Sequence, residues 1–271
     1  DAQRIHPTQI HHCRHVDAHD KPRKHTLNIS GNTIFIAGGT SGIGLALAVA
    51  LQNEGNKVII GGRRSTLLQE ISSKHPKIST VVIDVDDPKS IRTAYESVTE
   101  DFPDLNVLVT MSGIMYPEDL KNPDFLDVAE RTITTNLLGT IRLVGQFIPH
   151  LLTKPTATIA TVSSAVGFVP LPITPTYNAT KAAVHLFTES MRVQLADTSI
   201  QCIELIPPGV RTTLMNQENS ESALPLDDYI EETIALLKAD DNATEIVVEA
   251  AKPLRHAEIN GEYQNVLKML S

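Results

Sequence analysis

Long apolar segments are missing from this chain of 271 residues. No run approaches the roughly 18 consecutive apolar residues that a membrane-spanning helix needs. The N-terminal segment is polar and rich in histidine, where a secretory signal would carry an apolar core. We therefore expect a soluble, cytoplasmic protein. The hydrophobic content of 41% is enough for one sizeable core, and α/β domains of this length commonly remain undivided.

Cysteine and basic residues are also scarce. The two cysteines, Cys13 and Cys202, are far apart in the sequence, and we interpret both as reduced thiols. The chain has 23 Lys and Arg against 32 Asp and Glu, with a net charge of −9. Because nucleic-acid binding depends on clustered basic side chains, the composition predicts that neither DNA nor RNA is a partner.

Residues 1–28 differ in character from the rest of the chain. They hold six of the ten histidines and have almost no apolar periodicity. His11, His12, Cys13 and His15 carry atoms that bind metals, but nothing in the surrounding sequence would hold them in a fixed geometry. We interpret residues 1–28 as a disordered or vector-encoded tail before a single domain of residues 29–271, and we expect no metal site.

From Thr33 onward, short apolar runs alternate with longer amphipathic stretches, a pattern that predicts βαβ units and a parallel sheet. Right-handed crossovers would place helices on both faces, which predicts a doubly wound α/β fold with three layers. The predicted strands are Thr33–Ala37, Lys57–Gly61, Ser79–Asp84, Val107–Thr110, Thr156–Val162 and Ile200–Ile206. The predicted helices start near Gly42, Ser65, Pro88, Pro123 and Thr176.

A glycine-rich turn, in the run AGGTSGIG, joins the first predicted strand to the first helix. Glycine suits this position because the turn is tight and the backbone must come close to a pyrophosphate. The N-terminus of the helix then offers free N–H groups to the anion. An ordinary strand-to-helix turn is the alternative. The position of the turn favours a dinucleotide site formed by Gly38, Thr40, Ser41, Gly42, Ile43 and Gly44.

The spacing of these glycines, Gly-x-x-x-Gly-x-Gly, resembles that of the short-chain dehydrogenase/reductases, which implies a Rossmann-type fold. In such folds an acid at the end of the second strand binds the ribose 2′-hydroxyl of NAD, whereas a basic residue accepts the 2′-phosphate of NADP. The run VIIGGRR has Gly62 in place of that acid, followed by Arg63 and Arg64. Asp86 and Asp87 are interpreted as the start of the third helix. Because guanidinium suits phosphate and no acid is expected to compete, the run favours NADP(H); solvated arginines at a helix start are the alternative.

The run YNATK places Tyr177 and Lys181 four residues apart in a predicted helix, so both project from one face. Ser164 stands 13 residues before Tyr177, at the end of a predicted strand. This separation matches the Ser…Tyr-x-x-x-Lys signature of the family and selects Ser164 over Ser163. A Tyr-x-x-x-Lys alone usually marks a solvated helix face, but the serine and the upstream glycine turn argue against that alternative here.

The resemblance implies hydride transfer between a nicotinamide and a carbonyl carbon. The resulting alkoxide must gain a proton, and a tyrosine of ordinary pKa near 10 is a weak acid at neutral pH. Lowering this pKa by about 3 units takes roughly 4 kcal/mol, which the Lys181 ammonium and the oxidised nicotinamide ring are expected to supply. Lys181 is also expected to bind the nicotinamide ribose, and Ser164 to hydrogen-bond the substrate oxygen.

The resemblance also implies further site residues. Asn136 matches the asparagine that anchors a proton-relay water, with a local role in its helix as the alternative. Asp84 and Val85, after the third strand, match positions beside the adenine ring, and Gly113 follows the fourth strand next to the cofactor. The turn beside the nicotinamide corresponds to Pro208, Gly209, Val210 and Thr212.

Within the family, the runs ELIPPGV and ATEIVVE look most like the DltE-type oxidoreductases of bacteria and fungi. Two features depart from the family pattern. Residues 110–113 read Thr-Met-Ser-Gly where Asn-Asn-Ala-Gly is usual, which predicts weaker cofactor binding or lower stability. The run Glu262–Leu270 is helix-like where a strand with a glycine-rich end is common, so pocket closure and a homo-oligomer built on the usual dimer contacts stay open.

We therefore expect an NADP(H)-dependent oxidoreductase that interconverts a ketone or aldehyde and an alcohol, with a small-molecule substrate that the sequence does not identify. A non-catalytic NADP(H)-binding sensor or assembly partner is the alternative, and the altered loop of residues 110–113 is its support. An epimerase or dehydratase would require a longer C-terminal substrate domain. Leu214–Leu226 is the expected lid.

Overall fold

Seven parallel strands form the central sheet of the protein, as seen in a computed structural model that describes residues 28–271. Their order is β3-β2-β1-β4-β5-β6-β7. β1 therefore lies between β2 and β4, and the chain changes direction across the sheet at this point. The strands are β1 Thr33–Ala37, β2 Lys57–Gly62, β3 Ile78–Val82, β4 Val107–Thr110, β5 Ala157–Val162, β6 Ile200–Leu205 and β7 Glu245–Ile246.

Helices cover both faces of the sheet, which confirms the doubly wound fold with three layers. A π-helical turn, Thr134–Leu138, joins α4 to α5. Within residues 28–271, no helix combines the length and the apolar character needed to cross a membrane. The helices are α1 Gly42–Asn53, α2 Ser65–Lys74, α3 Pro88–Asp101, α4 Phe125–Ile133, α5 Gly139–Leu151, α6 Pro175–Gln194, α7 Leu226–Ala239, α8 Lys252–Arg255 and α9 Tyr263–Leu270.

The predicted elements differ from the observed ones mainly at their ends. β3 stops before Asp84 because the Asp84 N–H donates to Ser90 Oγ (2.8 Å) and leaves the ladder. β7, α7 and the short α8 were not predicted; β7 has only two residues, too few for a periodic signal. The C-terminal helix predicted over Glu262–Leu270 is confirmed as α9. The chain thus places a helix after its last strand.

The core consists of two apolar layers, one on each face of the sheet. Alternate residues of a strand point to opposite faces, so Ile34 and Ile36 belong to one layer and Phe35 to the other. The first layer packs against α1, α2 and α7, and the second against α3, α5 and α6. Phe147 of α5 stacks on Phe35 with ring centroids 5.3 Å apart. The sheet is therefore buried on both faces and leaves its carboxyl edge for the site.

Candidate active site

A cavity of about 590 Å³ opens at the carboxyl edge of the sheet. In open α/β sheets, ligands bind at this edge, where the strand order reverses. Many of the residues predicted for the cofactor lie in its wall: Gly38, Thr40, Ser41, Gly42, Ile43, Gly44, Arg63, Arg64, Asp84, Val85, Gly113, Tyr177, Lys181 and Thr212. Pro208, Gly209 and Val210 lie outside this wall. Pro207 lines the cavity instead, and Val210 is buried and paired with Leu224.

Two glycines of the turn, Gly38 and Gly44, leave no room for a Cβ atom. Gly38 has a φ of +98°, and a Cβ atom there would lie 2.5 Å from the backbone nitrogen of Ser112. A Cβ atom on Gly44 would lie 2.3 Å from the carbonyl oxygen of Gly38. The first N–H groups of α1 have no carbonyl partner within the helix, and Ser41 provides no side-chain cap. These free donors border the cavity and fit the pyrophosphate of a dinucleotide.

Arg63 and Arg64 reach the cavity from the end of β2. The expectation that no acid competes for them was wrong, because Arg63 Nη1 lies 3.8 Å from Asp86 Oδ2. Asp87 does begin α3 as predicted, since its side chain accepts from Lys89 N. The Arg63 side chain remains 59% exposed, so this surface ion pair is weak. The guanidinium can exchange the carboxylate for a phosphate.

Ser164, Tyr177 and Lys181 come together beside the glycine turn. Tyr177 and Lys181 lie one helical turn apart on α6, with Lys181 Nζ 5.6 Å from the centre of the Tyr177 ring. Ser164 follows β5 in extended backbone geometry, and its Oγ donates to the carbonyl of Pro207 (3.4 Å). Lys181 Nζ donates to the carbonyl of Val162 (2.8 Å). All three predicted catalytic side chains are buried.

Burial controls the protonation of this group. It raises the pKa of Tyr177 to about 12, and the nearby Ser164 hydroxyl acts in the opposite direction. Burial also lowers the pKa of Lys181 to about 8, while the negative charge of Glu204 raises it. The surrounding protein therefore keeps Tyr177 protonated, whereas hydride chemistry near neutral pH calls for a lower tyrosine pKa.

Asn136 lies in the π-helical turn and connects it to the loop after β4. Its Oδ1 accepts from the Ile114 N–H and its Nδ2 donates to the Ile114 carbonyl, both at 2.8 Å. Asn136 is 1% exposed, and its Oδ1 would lie 3.5 Å from a Cβ on Gly113. The structure thus gives Asn136 a positioning role behind the cavity wall. Its water-relay role stays a prediction.

The unusual loop of residues 110–113 is built into the site. The Met111 N–H donates to the carbonyl of Ala37 (2.8 Å), and the Met111 side chain packs against the core. Met111, Ser112 and Gly113 all line the cavity. Thr110 is different, because its buried hydroxyl has no hydrogen-bond partner in the described part of the chain. The predicted weaker cofactor binding or lower stability stays a prediction, and the Thr110 hydroxyl is one group on which it can be tested.

The sequence did not reveal a set of hydrogen-bonded polar side chains, Ser163, Glu204 and His185, that lies next to the predicted catalytic residues. Ser163 Oγ donates to Oε1 of Glu204, and His185 Nδ1 lies 2.8 Å from Oε2 of Glu204. The available signal was a single glutamate inside the apolar strand run IQCIEL. Sequence alone did not show that β5, β6 and α6 would bring these side chains together.

Two further carboxylates, those of Glu189 and Glu245, lie close to the His185 ring. Within residues 28–271, the ligating atoms of His185, Glu189 and Glu245 lie within 4.8 Å of one another. Both carboxylate oxygens of Glu245 already accept from Arg255, at 2.7 and 2.8 Å. Because the guanidinium neutralises this carboxylate, the group is an ion-pair cluster rather than a metal centre.

The fold and the glycine turn define a class, that of nucleotide-binding proteins with a Rossmann-type sheet. The model of the short chain dehydrogenase family matches residues 32–223. A relative from Bacillus subtilis, the uncharacterized oxidoreductase DltE, is 36% identical over 251 residues, which cover 90% of this chain and 98% of the relative. The chain therefore belongs to the short-chain dehydrogenase family, as an oxidoreductase of the DltE type.

Several solved structures share the fold of this chain. A short chain dehydrogenase from Burkholderia cenocepacia, in complex with NADP, has a TM-score of 0.76 and 22% identity, with 90% of this chain and 99% of that one covered. A 3-ketoacyl-(acyl-carrier-protein) reductase from Brucella melitensis, complexed with NADH, has a TM-score of 0.73 and 23% identity, with 83% and 100% covered. These likenesses support the fold alone.

Proposed function

We propose that this protein is an NADP(H)-dependent oxidoreductase that interconverts a ketone or aldehyde and an alcohol. The observation that carries the proposal is that the buried Tyr177 and Lys181 line the same cavity as the glycine turn, with the buried Ser164 next to the cavity-lining Ser163. The turn supplies donors for a pyrophosphate, and the buried group supplies a proton donor. The cavity is open and offers a small molecule access to both.

Each member of the group has a distinct task in this proposal. When bound, the nicotinamide supplies or accepts the hydride. Tyr177, which burial keeps protonated, is the proton donor to the carbonyl oxygen during reduction. Ser164 hydrogen-bonds that oxygen and stabilises its developing charge. Lys181, as an ammonium, stabilises the tyrosinate that remains and hydrogen-bonds the nicotinamide ribose.

The preference for NADP(H) over NAD(H) rests on the end of β2. Gly62 offers no carboxylate to a ribose 2′-hydroxyl, and Arg63 and Arg64 line the cavity next to it. A guanidinium can bind a 2′-phosphate through two parallel hydrogen bonds. The Burkholderia structure holds NADP and the Brucella structure holds NADH, so the fold accommodates either cofactor. The arginines decide the choice in this chain.

Two measurements test the proposed function separately. Binding of NADPH and NADH, followed by cofactor fluorescence, tests the dinucleotide site. Oxidation of NADPH with a panel of aldehydes and ketones, followed at 340 nm, tests the catalysis. We expect tighter binding of NADPH and turnover with at least one carbonyl compound. Binding of NADPH without turnover on any of these compounds, or on alcohols with NADP+, would support the non-catalytic sensor instead.

A further inference from the structure

Two charged side chains are buried in the described residues 28–271, Lys181 and Glu204, with exposed fractions of 6% and 0%. A buried charge is costly unless nearby groups compensate it. Lys181 belongs to the proposed catalytic group. Glu204 lies inside β6 and has no task in the proposed reaction. Its burial therefore calls for an explanation.

Both carboxylate oxygens of Glu204 have a partner. Oε1 accepts from Ser163 Oγ, and Oε2 lies 2.8 Å from His185 Nδ1. Ser163 lines the cavity and stands between Val162, whose carbonyl binds the Lys181 ammonium at 2.8 Å, and the catalytic Ser164. Glu204 therefore braces the end of β5, where the Val162 carbonyl accepts from Lys181 and the next residues carry Ser164.

His185 lies on α6, one helical turn after Lys181, and its far side faces several charged groups. Its Nε2 is 3.8 Å from Glu189, and Glu245 lies in the same cluster, paired with Arg255. The His185 ring packs edge-on against Phe168, with ring centroids 4.7 Å apart. The Arg255 guanidinium lies over the Phe168 ring, 4.5 Å from its centre. The hydrogen bond to Glu204 raises the pKa of His185 despite burial. The hydrogen bond between His185 Nδ1 and Oε2 holds the Glu204 carboxylate in place.

We propose that Glu204 is a positioning residue whose buried carboxylate keeps Lys181 protonated and holds the Ser163–Ser164 segment in place. The proposal rests on the proposed function, because it assigns Lys181 an essential ammonium. His185 holds the carboxylate from the other side. Ser163, Glu204 and His185 thus form one connected row of polar side chains next to Ser164 and Lys181.

The charge of Glu204 matters because Lys181 has lost much of its solvation. Burial lowers the pKa of Lys181 to about 8, and Glu204 opposes this decrease. If the carboxylate is neutralised, the pKa of Lys181 falls further and the ammonium is lost at a lower pH. The alkaline decline of NADPH binding and of turnover should move in the same direction.

The variant Glu204→Gln tests this because it removes the charge and keeps the shape. We expect the alkaline midpoints of NADPH affinity and of kcat/KM to move down by about one pH unit, a shift typical of losing a nearby opposite charge. Ser163→Ala is the matched control, since it removes one hydrogen bond and leaves the carboxylate charged. Its midpoints should stay at the wild-type value. If Glu204→Gln fails to fold, the double variant His185→Gln/Glu204→Gln, which leaves no buried acid, replaces it.

A third readout is independent of catalysis. In protein labelled with ¹³C at lysine Cε, the Lys181 signal is identified by its absence in Lys181→Ala, and its titration gives the lysine pKa directly. A lower Lys181 pKa in the glutamine variant supports the proposal, even if no carbonyl compound is turned over. Equal Lys181 titration in wild type and Glu204→Gln, or equal shifts in Glu204→Gln and Ser163→Ala, would overturn it.

Discussion

A Cβ atom on Gly62 would lie 2.3 Å from Cγ2 of Thr40. Gly62 ends β2, where an NAD-binding fold would carry its acid, and Thr40 belongs to the glycine turn. The turn therefore occupies the space that such an acid would need. The steric exclusion of this acid and the positive charge of Arg63 both favour the proposed preference for NADP(H) over NAD(H).

The first prediction concerns cofactor preference. Arg63→Ala should weaken NADPH binding by roughly tenfold, the low end expected for a charged hydrogen bond at an exposed site. The triple variant Thr40→Ala/Gly62→Asp/Arg63→Ala should prefer NADH, because it makes room for the new acid and repels the 2′-phosphate. The double variant that keeps Thr40 is the control and should bind both cofactors poorly. Dissociation constants measured by fluorescence decide the matter, and a triple variant that still prefers NADPH would place the determinant elsewhere.

The second prediction separates the tasks of Tyr177 and Lys181. Tyr177→Phe keeps the ring and removes the acidic hydroxyl, so turnover should fall by roughly 10²–10⁴-fold with little change in NADPH affinity. Lys181→Ala should lower both turnover and NADPH affinity, because the ammonium serves the ribose as well as the tyrosine. Steady-state kinetics and NADPH titrations compare the two. Near-full turnover by Tyr177→Phe would mean that another group donates the proton.

The third prediction uses two helical glycines with opposite surroundings. Gly44→Ala forces a methyl group toward the Gly38 carbonyl, 2.3 Å from the new Cβ, and should cost about 1–3 kcal/mol of unfolding free energy and most NADPH binding. A Cβ on Gly145 of α5 meets nothing within 4 Å, so Gly145→Ala should stabilise the helix by roughly 0.5–1 kcal/mol. Urea unfolding measures both, and equal effects would refute the packing argument.

The fourth prediction compares two threonines that are register partners on β4 and β5, Thr110 and Thr161. Both are buried, but the Thr161 hydroxyl lies 2.6 Å from that of Thr188. Thr110→Val removes an unpaired polar group and should raise the free energy of unfolding by about 1 kcal/mol, whereas Thr161→Val should lower it by a similar amount. Loss of stability in Thr110→Val would show that its hydroxyl has a partner, such as an ordered water.

The fifth prediction concerns where the folded domain begins. Asn56 Nδ2 donates to the carbonyl of Ile29 (2.7 Å), and Asn32 and Asn106 hydrogen-bond at 3.0 Å. A chain starting at Asn28 should therefore keep the Tm and NADPH affinity of the full chain. One starting at Thr33 loses these bonds, at about 1 kcal/mol each, and should melt several degrees lower. A large fall in Tm for the first truncation would give the N-terminal segment a structural role.

Local spacing accounts for what the sequence predicted well. The four-residue separation of Tyr177 and Lys181 places them on one helix face regardless of the rest of the fold. Gly38 and Gly44 mark a turn whose geometry depends on a few neighbouring residues. The alternation of apolar runs likewise predicted β1 and β4 with their observed bounds. The departure at residues 110–113 was visible because these residues differ from the Asn-Asn-Ala-Gly that is usual in the family.

Contacts between distant segments account for what it did not predict. Asp86 meets Arg63 because the ends of β2 and β3 lie side by side, a matter of register that neither run reveals. Glu204 finds His185 only after β6 and α6 have packed. The short β7 depends on pairing with β6, since two residues carry no periodicity of their own.

The order of the strands also leaves one edge of β1 unpaired while the chain is being synthesised. β1 pairs with β2 on one side, but its other edge waits for β4, which begins 70 residues after β1 ends. At roughly 5–20 residues per second, a nascent chain exposes that apolar edge for about 4–14 s. Unpaired strand edges recruit other chains. Slower translation or a higher temperature should therefore favour aggregation of ribosome-bound chains, although the finished sheet protects β1 completely.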